Sequence, residues 1–281
     1  MITMNFRLSA LLLGSSLFMA ACNNAPAVNA TAATADSSKV AEIKDETVSY
    51  PAGDLTMKSY VAYDGRTDAK RPAVLVIPEW WGLTDYARGR AKQLAALGYI
   101  AMAVDFYGDG KTADNPDSAG KWAGVFYKEP MLAKSHFDAA VAKIKSYPQT
   151  DTSKIAAIGY CFGGAMVLNM ARLGEDLKGV VSFHGNLVGV PAKKDVIKAK
   201  ILVCQGEDDQ FVKPAERAEF KKQLDSIGYA YTFISYPGAN HAFTNPKATE
   251  LGQKFKLPIA YNAAADSASW KAMREFFGKI F

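Results

Sequence analysis

Residues 154–173, KIAAIGYCFGGAMVLNMARL, decide the fold of this chain. Residues 154–160 are apolar after Lys154 and suit a buried strand, and residues 162–173 suit a helix. Between them lies Gly159-Tyr160-Cys161-Phe162-Gly163, the pattern of a sharp strand-to-helix turn that presents a nucleophile. Glycines two residues either side of Cys161 avoid clashes with neighbouring backbone. The pattern predicts that Cys161 is a nucleophile; the alternative is a glycine-rich turn with a buried structural cysteine.

Strand and helix patterns alternate on both sides of this turn. An opening β-hairpin is predicted over residues 47–52 and 55–63, and residues 106–130 form a polar, Gly- and Asp-rich excursion over the sheet. Further strands are predicted at 72–78, 99–105, 177–184, 199–205 and 231–236, and further helices at 84–97, 131–147, 214–227 and 263–281. Such alternation indicates a single α/β domain over residues 46–281, with a mostly parallel central sheet, helices on both faces and the hairpin at one edge.

A thiol nucleophile needs a base, and the chain has three histidines. His136 lies in a predicted helix between Lys134 and Asp138, where we expect a surface residue. His184 ends a strand, where it either lines a pocket or packs and bonds to backbone. His241 follows the last predicted strand, at the carboxyl edge of the sheet where α/β proteins bind ligands. His241 is therefore the predicted base.

The acid that orients the base is expected between Cys161 and His241 in the chain. The strand at 199–205 is followed by Gly206 and then by Glu207, Asp208 and Asp209. Residue chemistry alone leaves these three carboxylates open. The amides at the start of the helix after Cys161 favour a thiolate and can donate to an oxyanion.

Five motifs in this order resemble the dienelactone hydrolase family, a branch of the α/β-hydrolases with a cysteine nucleophile. The resemblance covers residues 46–281. The motifs are Ile-Pro-Glu-Trp-Trp-Gly at 77–82, Asp-Phe-Tyr at 105–107, Gly-Tyr-Cys-Phe-Gly-Gly at 159–164, Gly-Glu-Asp-Asp-Gln-Phe-Val at 206–212 and His-Ala-Phe at 241–243. The resemblance implies a hydrolase of carboxylic esters, lactones or thioesters, acting on a small-molecule ester or lactone. The sequence has no metal-site motif, Gly-rich phosphate loop or dinucleotide fingerprint, so no cofactor is expected.

The same resemblance assigns roles to individual residues. It implies a catalytic triad of Cys161, His241 and Asp209, because the family's acid is the third residue after the glycine and precedes x-Phe-Val. It implies that Glu79 is the auxiliary carboxylate that contacts the thiol and helps to convert it to the thiolate. The backbone amides of Trp80 and Phe162 are the implied oxyanion donors.

The chain departs from the family at two positions. Dienelactone hydrolase itself holds the carboxylate of its substrate with two arginines, and this chain has Asp109 and Asn245 at those places. A substrate carboxylate would lose both bidentate partners and would be repelled by Asp109. We therefore expect poor activity on dienelactone.

Aromatic residues are the candidates for the substrate pocket. A rim of aromatic residues would favour an apolar or aromatic substrate, whereas packing in the core or in a lid is the alternative reading. The rim candidates are Trp80, Trp81, Trp122, Phe126 and Tyr127, and the pocket candidates are Trp81, Tyr107, Trp122 and Phe243.

The N-terminus has the pattern of an export signal. Arg7 precedes the apolar run 8–21, which is shorter than the roughly 20 residues of a bilayer-spanning helix. Met19-Ala20-Ala21-Cys22 resembles a bacterial lipobox, which implies a signal peptide over 1–22 and a lipid on Cys22. Met19 stands where a lipobox usually has Leu, so a chain that is cleaved and secreted without a lipid is the alternative. Asn23, rather than Asp, after the cysteine implies anchoring at the outer membrane, on its periplasmic side. Residues 23–45 have the composition of a flexible tether.

Composition excludes several other classes. The 281 residues are 49% hydrophobic and 22% charged, which excludes a disordered or fibrous chain. A net charge of +5 without a local basic run gives no indication of nucleic acid binding, and the lipid anchor is the only predicted membrane contact. Two other functions fit the same motifs: a serine-hydrolase-like thioesterase or peptidase, and a non-catalytic envelope lipoprotein that uses the fold as a binding module.

Overall fold

One sheet organises the protein. A computed structural model describes residues 40–281, and within them eight strands form a single sheet in the order β1-β2-β4-β3-β5-β6-β7-β8. The first two strands form an antiparallel hairpin at one edge, and the strands from β4 to β8 in that order pair in parallel. The strands are β1 Ile43–Ala52, β2 Leu55–Asp64, β3 Arg71–Ile77, β4 Ile100–Ala103, β5 Thr150–Tyr160, β6 Gly179–Phe183, β7 Lys200–Gly206 and β8 Tyr231–Tyr236.

Helices cover both faces of the sheet. Successive side chains of β3 point alternately into two cores, Leu75 and Ile77 into one and Val74 and Val76 into the other. Helices α2 to α5 contribute to the first core, and α1 and α7 to the second. The helices are α1 Asp85–Ala96, α2 Pro116–Lys128, α3 Pro130–Lys145, α4 Phe162–Arg172, α5 Pro214–Ser226, α6 Ala248–Phe255 and α7 Ala263–Ile280. The predicted α/β architecture is confirmed.

Two helices were absent from the sequence-based prediction. Helix α2 lies inside the segment 106–130 that composition had assigned to an irregular excursion. Asn115 caps it by accepting a hydrogen bond from the amide of Ser118 at 2.9 Å, and Pro116 occupies its first turn. Helix α6 follows His241 closely in the chain and has only eight residues. Both are short or rich in turn residues, so local propensity hides them.

The folded domain begins earlier than predicted. Residues 43–45, assigned to the tether, pair with β2, and Asp45 bonds Lys92 of α1 at 2.9 Å. Backbone pairing and this ion pair extend a strand that has little apolar pattern of its own. The predicted signal peptide, Cys22 and most of the tether lie outside the described residues. Among residues 40–281, no helix is long and apolar enough to cross a membrane.

Candidate active site

The turn between β5 and α4 places Cys161 at the carboxyl edge of the sheet. Cys161 has φ 53° and ψ −115°, a conformation that is strained for a residue with a side chain. The two glycines of the turn are required by close approach. A Cβ on Gly159 would lie 2.0 Å from the carbonyl oxygen of Gly163, and one on Gly163 would lie 2.2 Å from that of Ile77. The thiol thus projects from a turn that only small flanking residues permit.

The structure brings Cys161, His241 and Asp209 into one hydrogen-bonded chain. His241 Nε2 lies 3.0 Å from Cys161 Sγ, and His241 Nδ1 lies 2.8 Å from Asp209 Oδ2. The three side chains come from the loops that follow β5, β8 and β7. Parallel strands bring those loops to the same edge of the sheet, although 80 residues separate Cys161 from His241 in the chain. This geometry can move a proton between sulfur and imidazole.

Asp209 is distinguished from its acidic neighbours by burial and by its donors. Glu207 and Asp208 are exposed, whereas Asp209 is buried. Gln205 Nε2 donates to Asp209 Oδ2 at 2.6 Å. The amides of Phe211 and Val212 donate to Oδ1 at 2.8 and 3.1 Å. These donors hold the carboxylate in the orientation that lets it accept the Nδ1 proton of His241.

The electrostatics of His241 favour its charged form. Burial alone would lower the pKa of His241, but the neighbouring Cys161 and the hydrogen bonds with Asp209 and Cys161 outweigh it. The net effect raises the pKa of His241 from 6.5 to about 10. An imidazolium beside the sulfur favours the thiolate, which is the nucleophilic form of cysteine.

Glu79 is buried and lines the same cavity as Cys161, but its hydrogen-bond partner is Asn245. Asn245 Nδ2 donates to Glu79 Oε2 at 2.6 Å, and among the described residues no hydrogen bond joins Glu79 to Cys161. Burial raises the pKa of Glu79 to about 7, while the Asn245 hydrogen bond and the charges of His241 and Arg90 limit the increase. Glu79 can therefore gain or lose a proton near neutral pH.

The two residues that carry the implied oxyanion donors both line the cavity. Phe162 is the first residue of α4, so its N–H has no acceptor within the helix. Trp80 lies in the loop after β3, and both residues line the same cavity as Cys161. These two amides belong to the segments from which α/β-hydrolases build an oxyanion hole.

A cavity of about 160 Å³ opens over Cys161. Its walls are mainly apolar and aromatic, and its polar lining comes from the reacting groups and Asn186. Among the described residues that line it, none is a lysine or an arginine. The lining residues are Glu79, Trp80, Trp81, Ala123, Tyr127, Cys161, Phe162, Asn186, Phe211, Val212, His241, Ala242 and Ile259.

Only some of the predicted aromatic pocket residues line this cavity. Trp81 lines the cavity, together with Trp80 and Tyr127. Tyr107 is buried and donates to the carbonyl oxygen of Trp80 at 2.8 Å, with Trp122 packed against its ring.

Phe243 is also buried, in the core beneath His184. Phe126 packs on Tyr107 and Phe106 rather than on the cavity. Tyr107, Trp122 and Phe243 are therefore not among the lining residues. Trp122 on α2 packs on Tyr107, and Phe243 in the loop after β8 points into the core.

Two other expectations fail. His136 is buried rather than exposed, and its Nδ1 lies 2.9 Å from the carbonyl oxygen of Phe106. Asp109 is exposed and accepts a hydrogen bond from the amide of Thr56, with Lys111 at 3.4 Å. It is not among the cavity-lining residues, so the expected repulsion of a substrate carboxylate by Asp109 is not supported.

Sequence reasoning missed the residues that hold the reacting groups. Gln205 and Thr244 bond to Asp209 and His184, and Asn245 bonds to Glu79. Gln205 carried a usable signal, because an amide within an apolar strand needs a partner. Within residues 40–281, no group of three or more His, Cys, Asp or Glu side chains is arranged to hold a metal ion.

Comparison with known proteins connects this geometry to a family. The model of the dienelactone hydrolase family matches residues 57–281. A protein of Aquifex aeolicus named "Putative carboxymethylenebutenolidase" is 29% identical over 211 residues, which cover 73% of this chain and 87% of that protein. Protein usf of Aquifex pyrophilus is 32% identical over 196 residues, covering 68% and 84%.

A solved structure shares the whole domain. The crystal structure of a dienelactone hydrolase-like promiscuous phosphotriesterase from metagenomic libraries has a TM-score of 0.79 and 32% sequence identity. The match covers 85% of this chain and 99% of that one. The similarity therefore extends over both the sheet and the loops that carry the site.

Proposed function

The chain belongs to the dienelactone hydrolase family, and from this we propose that it hydrolyses an uncharged carboxylic ester, lactone or thioester. Cys161 is the proposed nucleophile, His241 the base and Asp209 the group that orients the base. The observation that carries the proposal is the continuous hydrogen-bonded chain from Cys161 Sγ through His241 to Asp209, at the bottom of an apolar cavity.

The proposed reaction has two steps. In the first, the Cys161 thiolate attacks the carbonyl carbon, and the amides of Trp80 and Phe162 stabilise the oxyanion. The His241 imidazolium gives its proton to the leaving oxygen or sulfur, and the acyl group stays on Cys161 as a thioester. In the second, His241 takes a proton from water, the hydroxide attacks the thioester, and the acid leaves with the thiolate restored.

Glu79 is proposed to assist in forming the thiolate. Its carboxylate lines the cavity with Cys161, and a pKa of about 7 lets it take a proton near neutral pH. In the resting arrangement Asn245 holds the carboxylate through its amide. A carboxylate that is held by a neutral donor keeps part of its basicity, which a paired guanidinium would reduce further.

The cavity favours an uncharged, apolar group next to the reacting carbonyl. Its volume is similar to that of an apolar protein cavity that accommodates benzene, roughly 150 Å³. Tyr127 and Phe211 flank its mouth, with ring contacts to Phe162 and His241 respectively, and each is 42% exposed. Since Asn245 is engaged with Glu79 and no cation lines the walls described here, a substrate carboxylate would have no partner. We expect poor activity on dienelactone.

The test is a panel of uncharged aryl and alkyl esters, lactones and thioesters. The expected result is turnover by the wild type and none by Cys161→Ala. Cys204→Ala is the matched control, because Cys204 is buried in β7 and outside the cavity. The panel also separates esterase from thioesterase or peptidase activity. If no member of the panel is turned over and an iodoacetamide probe fails to label Cys161, the non-catalytic binding module is favoured instead.

We propose in addition that the chain is exported and lipidated on Cys22, with the catalytic domain tethered at the periplasmic side of the outer membrane. The support is the sequence pattern of residues 1–22. Fractionation of cells that express the wild type and Cys22→Ser tests it. Recovery of both proteins in the same soluble fraction would contradict lipidation.

A further inference from the structure

A second histidine lies directly beneath the nucleophile. His184 follows β6, has φ 41° and is 0% exposed. Its Nδ1 accepts a hydrogen bond from the backbone amide of Cys161 at 3.0 Å, an amide shared with the carbonyl oxygen of Phe183. Its ring centre lies 5.3 Å from that of His241. His184 therefore contacts both the backbone of the nucleophile and the ring of the base, although the proposed mechanism gives it no proton to transfer.

The partners of His184 fix the protonation of its ring. An amide can only donate, so Nδ1 must be the unprotonated nitrogen and Nε2 must carry the proton. Nε2 then donates to Thr244 Oγ1 at 2.7 Å, and the Thr244 and Tyr86 hydroxyls share a hydrogen bond at 2.6 Å. Arg90 Nε donates to the same tyrosine oxygen at 3.3 Å.

Thr244 connects this chain to the loop of the base. It is the third residue after His241, and its carbonyl oxygen accepts a hydrogen bond from Arg90 Nη2 at 2.7 Å. Arg90 is buried and is held in turn by Asp266 at 2.5 Å. Both the side chain and the backbone of Thr244 are thereby fixed, so the loop that carries His241 has a defined position relative to α1 and α7.

The arrangement requires that His184 stays neutral. Burial lowers the pKa of His184 well below 6.5, and the charges of His241 and Arg90 lower it further. A protonated His184 would present an N–H to the Cys161 amide, which is also a donor. The link is therefore intact across the pH range in which a thiolate nucleophile can work.

We propose that His184 and Thr244 are positioning residues that set the separation of Cys161 and His241. The hydrogen bond to the Cys161 amide holds the strained turn, and the hydrogen bond to Thr244 ties that turn to the loop of the base. The proposal rests on the proposed function, in which the His241 imidazolium stabilises the Cys161 thiolate and then gives its proton to the leaving group. Neither residue lines the cavity described above, so their effect falls on proton transfer rather than on substrate binding.

The first test compares Thr244→Val with Thr244→Ser. Valine keeps the shape and removes the hydroxyl, whereas serine keeps the hydroxyl. We expect Thr244→Val to lower kcat about tenfold with KM within about twofold of wild type, since misplacement of reacting groups acts on the transition state. The rate of Cys161 alkylation by iodoacetamide at pH 7 should fall in parallel, and Thr244→Ser should restore both. Wild-type kcat and alkylation in Thr244→Val would overturn the proposal, whatever its melting temperature.

The second test separates the two ends of the link. His184→Gln places an amide donor near the Nε2 position, and His184→Asn places an acceptor near Nδ1. Each variant keeps one hydrogen bond, so each should show slower alkylation than wild type. Equal alkylation in wild type and both variants would overturn the proposal. Because alkylation is read on Cys161 itself, it reports positioning even if Cys161→Ala retains esterase activity and the proposed function fails.

Discussion

Asn245 Nδ2 donates a 2.6 Å hydrogen bond to the carboxylate of Glu79, a residue 166 positions away in the chain and 4% exposed. Asn245 Oδ1 accepts from the amide of Lys247 at 3.0 Å, which fixes the orientation of the side-chain amide. A neutral side chain therefore holds a buried carboxylate beside the proposed nucleophile.

Removing this donor should change the pH dependence of the reaction. If ionised Glu79 takes the thiol proton, kcat/KM falls as the pH drops below about 7. Asn245 lowers the pKa of Glu79, so Asn245→Ala should move that acidic limb to higher pH, by about one unit for a hydrogen bond to a charged group. The measurement is kcat/KM between pH 5 and 9. If the acidic limb of the kcat/KM profile stays at the same pH in Asn245→Ala, ionisation of Glu79 does not control that limb.

Asp209 should be essential and its acidic neighbour should not. Asp209→Asn removes the carboxylate that raises the pKa of His241 and orients its ring, so we expect kcat to fall by about 10²–10⁴. Asp208→Asn is the matched control, because Asp208 is exposed and adjacent. Steady-state kinetics on an uncharged aryl ester compare the two. Equal losses in both variants would argue against the assignment of the acid.

Burial of Glu79 should reduce stability at alkaline pH. Its folded pKa of about 7 exceeds the unfolded value of 4.5, so its contribution to stability is full below pH 4.5 and is lost as the pH rises through 7. Glu79→Gln should therefore be more stable than wild type at pH 8, by up to about 3 kcal/mol, and similar to it at pH 4.5. Denaturant unfolding at the two pH values checks this. The same variant should have lower activity.

The aromatic mouth should affect substrate binding more than chemistry. Phe211→Ala removes an exposed ring of the cavity lining but keeps the backbone amide that bonds Asp209. We expect KM for phenyl acetate to rise about three- to tenfold with kcat nearly unchanged, from the apolar area lost. Val125→Ala, an exposed apolar residue outside the lining, is the control. Efficient saturation kinetics on cis-dienelactone would contradict the expected preference for uncharged substrates.

Local patterns predicted the parts of the site that are determined locally. The turn around Cys161 is a strand, two glycines and a helix in sequence, and the structure has them in that order. The position of His136 could also have been inferred, because it shares helical spacing with the buried residues Ala133, Phe137 and Ala140. Its charged neighbours instead suggested the surface.

Contacts between distant segments left no comparable local signal. Thr244 and Tyr86 meet across 158 residues, and Asn245 reaches Glu79 across 166. Thr and Asn are common loop residues, so nothing in the sequence marks them as partners of buried groups. Asp209 could be predicted only in part. The residue types left three carboxylates as candidates for the acid, and the family resemblance favoured Asp209. In the structure, its burial and its four hydrogen-bond donors distinguish it from the other two.

The cavity over Cys161 is assembled from the loops after β3, β5, β6, β7 and β8, together with side chains of α2. The thiol, the imidazole and the carboxylate lie close to the ends of their strands. The wall residues Tyr127 and Ile259 instead lie on helix α2 and in the connection between α6 and α7. Substitutions can thus change the walls of the cavity without moving Cys161, His241 or Asp209. Substitutions in α2 and in the connection before α7 are therefore expected to change which substrates the cavity accepts, while the sheet and the turn at Cys161 stay the same.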